Sequence, residues 1–201
     1  MDVSGLVTWR TANKEPFEKE HGVPLTYLPI ALFAVSGALK LNPYINSSWV
    51  DGKIVLKSSI NVGVAVATDD GLVVPVIKNA EGASIPDLAC QLDQMIDRAR
   101  NSKMTLEDAS GGTFTLNNTG VLGSILGGAI INHPQAAILT TEAIVKRPVV
   151  LTKKGEDSVE IRSMMNLCLS FDHRIIDGAE ASRFLQGVKN QLESIAESFN
   201  L

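Results

Sequence analysis

Turn signals for β-hairpins alternate with helical patterns along this chain, and that alternation limits its fold more than any other feature. Asp51-Gly52 and Asp69-Asp70-Gly71 each stand between two short apolar segments, the arrangement of an antiparallel hairpin. Because hairpins imply antiparallel pairs and helices intervene between them, the sequence predicts an α/β protein with helices packed on a mixed β-sheet, not a doubly wound fold. The predicted strands cover residues 45–50, 53–56, 60–68, 72–77, 113–116, 136–150 and 159–171, and the predicted helices cover residues 4–20, 26–41, 84–101 and 177–197.

Local signals refine these elements. Ser4 is predicted to cap the first helix, and Ser84 followed by Pro86 to open the third. Pro75 predicts an edge or bulged position, because proline cannot donate to a strand ladder. The apolar segment 136–150 fits either one long strand or two joined strands. No internal repeat, low-complexity segment or linker interrupts the chain, so residues 1–201 are predicted to form one domain.

Composition excludes several classes of partner. Hydrophobic residues make up 45% of the 201 residues and charged residues 20%, as in ordinary globular proteins. The net charge of −4 and the lack of a basic run argue against nucleic acid. No apolar stretch reaches the roughly 20 residues of a membrane span, and no signal or transit peptide is visible. Cys90 and Cys168 lie far apart without metal-like spacing, so we expect reduced thiols and no metal.

The segment 170–178 concentrates groups that can carry chemistry, since Asp172, His173, Arg174 and Asp177 lie within six residues. An apolar run precedes this segment and a helical pattern follows it, so His173 is expected at a strand end, facing a cleft. Neutral imidazole has an ordinary pKa near 6.5 and is the usual general base at neutral pH. The alternative is a surface turn whose carboxylates cap the next helix.

A second candidate site follows the strand 113–116. Asn117-Asn118-Thr119-Gly120 opens a loop with four glycines among residues 117–128, and glycine lets the backbone approach a ligand closely. A plain mobile connection is the alternative. No Walker loop, Rossmann glycine pattern, Gly-x-Ser-x-Gly elbow or zinc signature occurs in the sequence.

The segment Phe171-Asp172-His173-Arg174-Ile175-Ile176-Asp177-Gly178 resembles the Asp-His-Arg-x-x-Asp-Gly signature of the dihydrolipoyl acyltransferases. These proteins form the catalytic cores of 2-oxoacid dehydrogenase complexes. Residues 64–77, 111–118 and 130–138 also match the family's motifs, in the family's order, so the resemblance covers essentially the whole chain. It implies the two-layer sandwich of chloramphenicol acetyltransferase, in which helices pack on a mixed sheet.

The resemblance implies transfer of an acyl group between S-acyl-dihydrolipoamide and coenzyme A, without a metal. His173 would be the base in one direction and the acid in the other. Asp177 would be a second functional residue, acting by bracing or capping the loop or by direct proton transfer. At Asn117 the family commonly has Ser or Thr, credited with binding the oxyanion, and an asparagine amide is also a suitable donor. Asn117 and Asn118 are the candidates for coenzyme A contact.

The resemblance also implies partners. The family's unit is a homotrimer whose active site lies in a channel between subunits, so that His173 of one chain would face Asn117 of the next. Trimers assemble into a cubic or icosahedral core, served by a lipoyl domain and by the decarboxylase and dihydrolipoyl dehydrogenase components. The amphipathic tail, residues 192–201, would carry trimer-to-trimer contacts or be a frayed end. The compartment would be the bacterial cytoplasm, or the mitochondrial matrix in a eukaryote.

The family's catalytic domain usually has another helix and strand before the point where this chain begins, preceded by lipoyl and subunit-binding domains. We therefore expect a catalytic core without those domains. Asn117-Asn118-Thr119-Gly120 and Lys146-Arg147-Pro148 most resemble the bacterial branched-chain subgroup. Two alternatives stay open: a non-catalytic scaffold of the same fold, and an acetyltransferase acting on a small molecule such as an antibiotic.

Overall fold

The computed structural model describes residues 1–69 and 71–198. The predicted role of Phe199 and Leu201 in contacts therefore lies outside the described residues, as does Asp70 of the predicted turn. The described ranges contain α1 Ser4–His21, α2 Tyr27–Leu41, α3 Ile85–Arg100 and α4 Gly178–Ser198. The strands are β1 Ser47–Val50, β2 Lys53–Leu56, β3 Val62–Val64, β4 Val66–Thr68, β5 Gly71–Val73, β6 Val76–Ile77, β7 Phe114–Asn118, β8 Ala137–Thr141, β9 Val145–Lys153, β10 Glu156–Met164 and β11 Leu167–Phe171.

The helix starts show one correct prediction and one error. Ser84 and Asp87 form a reciprocal capping box at α3, in which each side chain accepts a hydrogen bond from the other residue's backbone N–H. Ser4 does not cap α1, because it is the helix's first residue. Its N–H donates to Asp2 Oδ1 at 2.9 Å, and its hydroxyl oxygen accepts from the Ser163 N–H at 2.9 Å. The Ser4 side chain therefore ties α1 to β10.

The five-stranded sheet has the order β11-β8-β7-β3-β6. Its three central strands, β8, β7 and β3, run parallel, whereas β11 and β6 are antiparallel to their neighbours. Three hairpin ribbons stand beside it: β1–β2, β4–β5 and β9–β10. The mixed sheet predicted from the sequence is confirmed.

Four predicted segments are each divided into two strands. Three of them were predicted as continuous, and for the fourth, residues 136–150, the sequence had left one long strand or two joined strands open. Residues 60–68 break at Ala65, whose N–H donates to the Leu116 carbonyl, so that β3 stays in the main sheet while β4 pairs with β5. Residues 72–77 break at Val74 and Pro75. The strand after the break, β6, is an edge strand of the main sheet, which agrees with the edge position predicted from Pro75. Residues 136–150 break after β8, where the Glu142 N–H donates to the Asn166 carbonyl at 3.1 Å. Residues 159–171 break at Met165 and Asn166.

The helices pack on one another and on the sheet. The apolar helix α2 lies in contact with both α3 and α4, and it buries Ile30, Leu32 and Val35 completely. Phe184 of α4 meets Phe114 of β7 edge-on, with ring centroids 5.6 Å apart and both side chains fully buried. Burial of aromatic side chains of this size dominates core stability. The core thus fixes the start of α4, and with it the turn that follows β11.

Candidate active site

His173 lies in a tight turn between β11 and α4, which agrees with its predicted place at a strand end. The turn is anchored on both sides: the Asp172 N–H donates to the Ala136 carbonyl at 2.8 Å, and the Asp172 carbonyl accepts from the Ile175 N–H at 3.0 Å. Ile175 is buried, whereas His173 is exposed. The backbone around the imidazole is therefore fixed while the ring itself faces outward.

Arg174 strengthens this turn through its side chain. Its Nε donates to Asp172 Oδ1 at 3.0 Å and its Nη2 donates to Asp172 Oδ2 at 2.6 Å, a bidentate pair. The guanidinium also lies 4.9 Å from the ring centroid of Trp49 in β1. Hydrogen bonds from Arg174 lower the pKa of the Asp172 carboxyl, and the same bonds raise the pKa of Arg174. Both groups are thus held in their charged forms on either side of His173.

Asp177 caps α4. Its Oδ1 accepts a hydrogen bond from the Glu180 N–H at 2.7 Å, and its carbonyl accepts from the Ala181 N–H at 3.0 Å. An aspartate in this position satisfies a helix-end donor and complements the helix dipole. Of the roles expected for Asp177, the hydrogen bonds show the capping one, whereas the side chain of Arg174 pairs with Asp172.

Asn117 and Asn118 are the last two residues of β7, so the strand extends two residues beyond the predicted 113–116. Both side chains are partly buried. Asn118 Oδ1 accepts from the Gly120 N–H at 3.1 Å, which closes the turn after the strand. Gly120 packs directly on the chain after β8, because a Cβ at this position would come within 2.6 Å of the Glu142 backbone. The start of the glycine-containing loop is therefore a fixed turn.

Two adjoining cavities open beside this end of β7. One, of about 210 Å³, has an apolar wall from α1, α2 and α4 and includes Asn118 and Glu142 in its lining. The other, of about 400 Å³, includes both Asn117 and Asn118. They share four lining residues: Tyr27, Leu28, Asn118 and Val121. A ligand held at the asparagines can thus place an apolar group in the smaller cavity.

His173 and Asn117 lie at opposite ends of the sheet in one chain. Asn117 is level with Thr140, which pairs with Cys168 at the start of β11, whereas His173 follows the end of β11. Asn117 and Phe171 are offset by three residues along the strands and by two strand spacings. Together these correspond to a distance of about 14 Å. His173 lies two residues beyond Phe171. The chain therefore does not bring its predicted base and its predicted oxyanion donor together.

Sequence reasoning missed Glu142. It is 2% exposed, and its Oε2 accepts from the Thr119 hydroxyl at 2.7 Å. Its Oε1 has no hydrogen-bond partner in the part of the chain that the structure describes. The available signal was a lone acidic residue within the apolar segment 136–150. Over residues 1–69 and 71–198, no group of three or more His, Cys, Asp or Glu side chains is placed to hold a metal ion. Within the same ranges, no helix has both the length and the apolar character needed to cross a membrane.

The mixed sheet with helices packed on it places the chain in the chloramphenicol acetyltransferase fold class. The chain belongs to the family described as 2-oxoacid dehydrogenases acyltransferase (catalytic domain), whose model matches residues 1–200. A chloramphenicol acetyltransferase itself superposes with a TM-score of 0.57 at 17% identity over 90% of this chain and 83% of that one, a likeness of fold alone.

Several kinds of acyltransferase component resemble the chain. It is 47% identical over 197 residues to the lipoamide acyltransferase component of the branched-chain alpha-keto acid dehydrogenase complex of Bacillus subtilis, covering 98% of this chain and 46% of that protein. It is 42% identical to the succinyltransferase component of the 2-oxoglutarate dehydrogenase complex of Rickettsia typhi, covering 96% and 48%. The chain thus spans about half the length of these relatives.

Solved structures agree with the fold. A probable dihydrolipoamide acetyltransferase of Listeria monocytogenes superposes with a TM-score of 0.94 at 46% identity, over 100% of this chain and 84% of that one. A dihydrolipoamide acetyltransferase of Azotobacter vinelandii, studied for the catalytic roles of a serine, a histidine and an asparagine, gives 0.90 at 35% identity, over 98% and 79%. The cubic core of a pyruvate dehydrogenase multienzyme complex gives 0.91 at 35% identity, over 98% and 80%.

Proposed function

We propose that this chain is a dihydrolipoyllysine-residue acyltransferase, which moves an acyl group between the sulfur of dihydrolipoamide and the thiol of coenzyme A. The observation that carries this proposal is the outward-facing His173 on a rigid turn, within the family's signature. The histidine and asparagine named for the Azotobacter enzyme are four positions apart, as His173 and Asp177 are here. We extend the proposal to the whole of residues 1–201 as one catalytic domain.

In the proposed reaction, His173 takes the proton of the attacking thiol. The resulting thiolate adds to the thioester carbonyl carbon, and the tetrahedral intermediate then expels the other sulfur, which receives the proton from His173. A free thiol has a pKa about two units above that of imidazole, so this transfer costs roughly 2.7 kcal/mol in isolation. General-base assistance of this kind typically gives about 10²–10⁴-fold in rate.

Asn117 is the proposed donor to the oxyanion of that intermediate, with Asn118 beside it for coenzyme A contact. The position of both residues at the edge of the adjoining cavities supports this assignment. Asp177 acts as a positioning residue that holds the start of α4, since its carboxylate already accepts the Glu180 N–H. Loss of one oxyanion donor typically costs about 10²–10³ in rate.

The active site is proposed to form between chains. His173 and Asn117 stand at opposite ends of one sheet, so a complete site requires His173 of one subunit to meet Asn117 of the next. A closed homotrimer supplies three such sites through one kind of contact. The likeness to a cubic core supports further assembly of trimers, with lipoyl domains and the decarboxylase and dihydrolipoyl dehydrogenase components as partners.

The proposed substrates are branched-chain acyl groups. The high similarity to the Bacillus subtilis branched-chain component supports this choice.

The deciding experiment measures coenzyme A thioester formation by the purified protein from acetyl-, isobutyryl-, isovaleryl- and succinyl-dihydrolipoamide. We expect the two branched donors to give the highest kcat/KM. Preference for another donor would reject the branched-chain assignment, and no turnover with any donor would reject the enzyme in favour of a scaffold.

A further inference from the structure

Glu142 is among the residues that line the smaller cavity, where apolar side chains predominate. Its buried Oε1 lies beside Gly127, 3.4 Å from where a Cβ at that glycine would stand. Leu28, Met165 and Leu192 also line this cavity. The side chain of Glu142 is almost completely buried, and no Lys, Arg or His nitrogen in the described part of the chain lies within 4.0 Å of it. A carboxylate in such surroundings acts over a longer range than one at the surface, because little water screens it.

A purely structural role accounts for Oε2 of Glu142 but not for Oε1. The Thr119 hydroxyl donates to Oε2, which joins the turn after β7 to the end of β8. Oε1 has no hydrogen-bond partner among residues 1–69 and 71–198, although an unsatisfied buried acceptor costs about 1–3 kcal/mol. A glutamine at this position would keep the bond from Thr119 without the charge. The buried and unpartnered Oε1 is therefore the feature that needs an explanation.

The cavity adjoins the proposed reaction centre. Asn118 lines both cavities, so an acyl group whose carbonyl lies at Asn117 and Asn118 extends toward the smaller cavity. A neutral acyl chain meets mainly apolar surface there. An acyl chain that ends in its own carboxylate would bring a second carboxyl group close to that of Glu142, and two carboxyl groups in a poorly solvated site cannot both ionise without a large cost.

We propose that Glu142 is a specificity-determining residue that excludes acyl groups with a terminal carboxylate, such as succinyl, and admits neutral short chains. This inference rests on the proposed acyl transfer and adds a physical basis for its substrate range. It also bears on the relatives, since succinyltransferase components share about two fifths of the sequence.

The test compares three coenzyme A thioesters on the assembled protein: isobutyryl, succinyl and the methyl ester of succinyl. The methyl ester keeps the length of succinyl but removes its charge, so it tests the wild-type protein without any mutation. We expect wild-type kcat/KM for the methyl ester to exceed that for succinyl at least tenfold. Equal values for the two would overturn the proposal, even if Glu142 variants fail to fold.

The protein side of the test uses Glu142→Gln, with Glu156→Gln as the matched control, because Glu156 is exposed at the start of β10. We expect Glu142→Gln to raise the succinyl-to-isobutyryl ratio of kcat/KM at least fivefold, and Glu156→Gln to leave it unchanged. A folded Glu142→Gln protein with an unchanged ratio would overturn the proposal.

Calorimetric binding of the three thioesters separates this inference from the proposed reaction. If the wild-type protein transfers no acyl group but still binds the methyl ester more tightly than succinyl, the reaction is wrong and the exclusion by Glu142 stands. If transfer occurs without that discrimination, the reaction stands and the role of Glu142 is wrong. If no thioester binds, both are wrong.

Discussion

At the scale of residues, the sequence identifies candidate groups by their chemical type but not the partners that hold them. His173 and Asp177 stand out in sequence because their groups cluster beside a strand end, and the structure places them on one turn. The pairing of Arg174 with Asp172 and Trp49 could not be deduced, because it depends on which strand lies beside the turn. Glu142 was missed for a similar reason, since a single acidic residue in an apolar run does not reveal whether its side chain is buried.

Replacement of His173 by alanine is expected to lower acyl transfer by about 10²–10⁴-fold, the usual contribution of a general base. Thermal stability should stay within about 0.5 kcal/mol of wild type, because the side chain is exposed. Turnover assays and thermal melts on the same samples check both expectations. His133→Ala, also at an exposed histidine, is the control and should retain activity. Near-normal turnover of His173→Ala would remove the base from the mechanism.

Arg174→Gln should change how stability depends on pH. Hydrogen bonds from Arg174 lower the pKa of Asp172, so the ionised pair stabilises the folded chain above the ordinary aspartate pKa of about 3.9 and loses this effect as the pH falls through the lowered value. The stability difference between wild type and Arg174→Gln should therefore be constant above about pH 5 and shrink in acid.

Urea unfolding at a series of pH values measures this difference. Arg183→Gln is the control, because Arg183 lies exposed on α4 and its removal should leave the acid limb of the stability curve unchanged. A difference between wild type and Arg174→Gln that stays constant down to about pH 2.5 would show that the pair does not couple to protonation.

At the scale of elements, helix positions were predicted more accurately than strand divisions. Helices α2, α3 and α4 begin and end within one residue of their predicted bounds, because periodicity and capping residues are local signals. Strands β3 and β4 form one apolar run in sequence but pair with different partners. Where a strand leaves one sheet for another depends on hydrogen bonds to distant residues, such as that from Ala65 to Leu116. No local pattern encodes those partners.

The turn after β7 packs closely on the chain that follows β8. This packing predicts that a side chain added at Gly120 lowers the stability of the fold. A Cβ there would lie 2.6 Å from backbone atoms of Glu142, which cannot move aside as a side chain can. We expect Gly120→Ala to lower the free energy of unfolding by about 1–3 kcal/mol. Gly82→Ala is the matched control, since nothing lies within 4 Å of its added Cβ. Equal stability of the two variants in urea titrations would refute the close packing.

At the scale of the whole molecule, the fold class could be predicted from the order of hairpins and helices. The separation of His173 from Asn117 within one chain could not. That His173 and Asn117 lie apart emerges only from strand order, since β8 is parallel to β7 and antiparallel to β11. The sequence resemblance had implied a site shared between chains. The single-chain geometry now gives a physical reason for that expectation.

Complementation between two inactive variants tests the shared site. His173→Ala and Asn117→Ala should each be nearly inactive alone, whereas co-assembled mixtures should recover activity, because some contacts join an intact His173 to an intact Asn117. Random mixing in a cyclic trimer gives a ceiling of about one quarter of wild-type turnover. Turnover of the co-expressed mixture is compared with that of the two variants combined after separate assembly. Recovery that is no greater than the sum of the two variants would place both residues' functions within one chain.

The antiparallel pairing of β11 with β8 has a consequence for a newly made subunit. By itself such a subunit holds both proposed groups, His173 and Asn117, but at opposite ends of its sheet. Under the proposed mechanism, an isolated subunit would therefore not turn over reactive thioesters until its neighbours complete the site, and turnover would report completed oligomerisation.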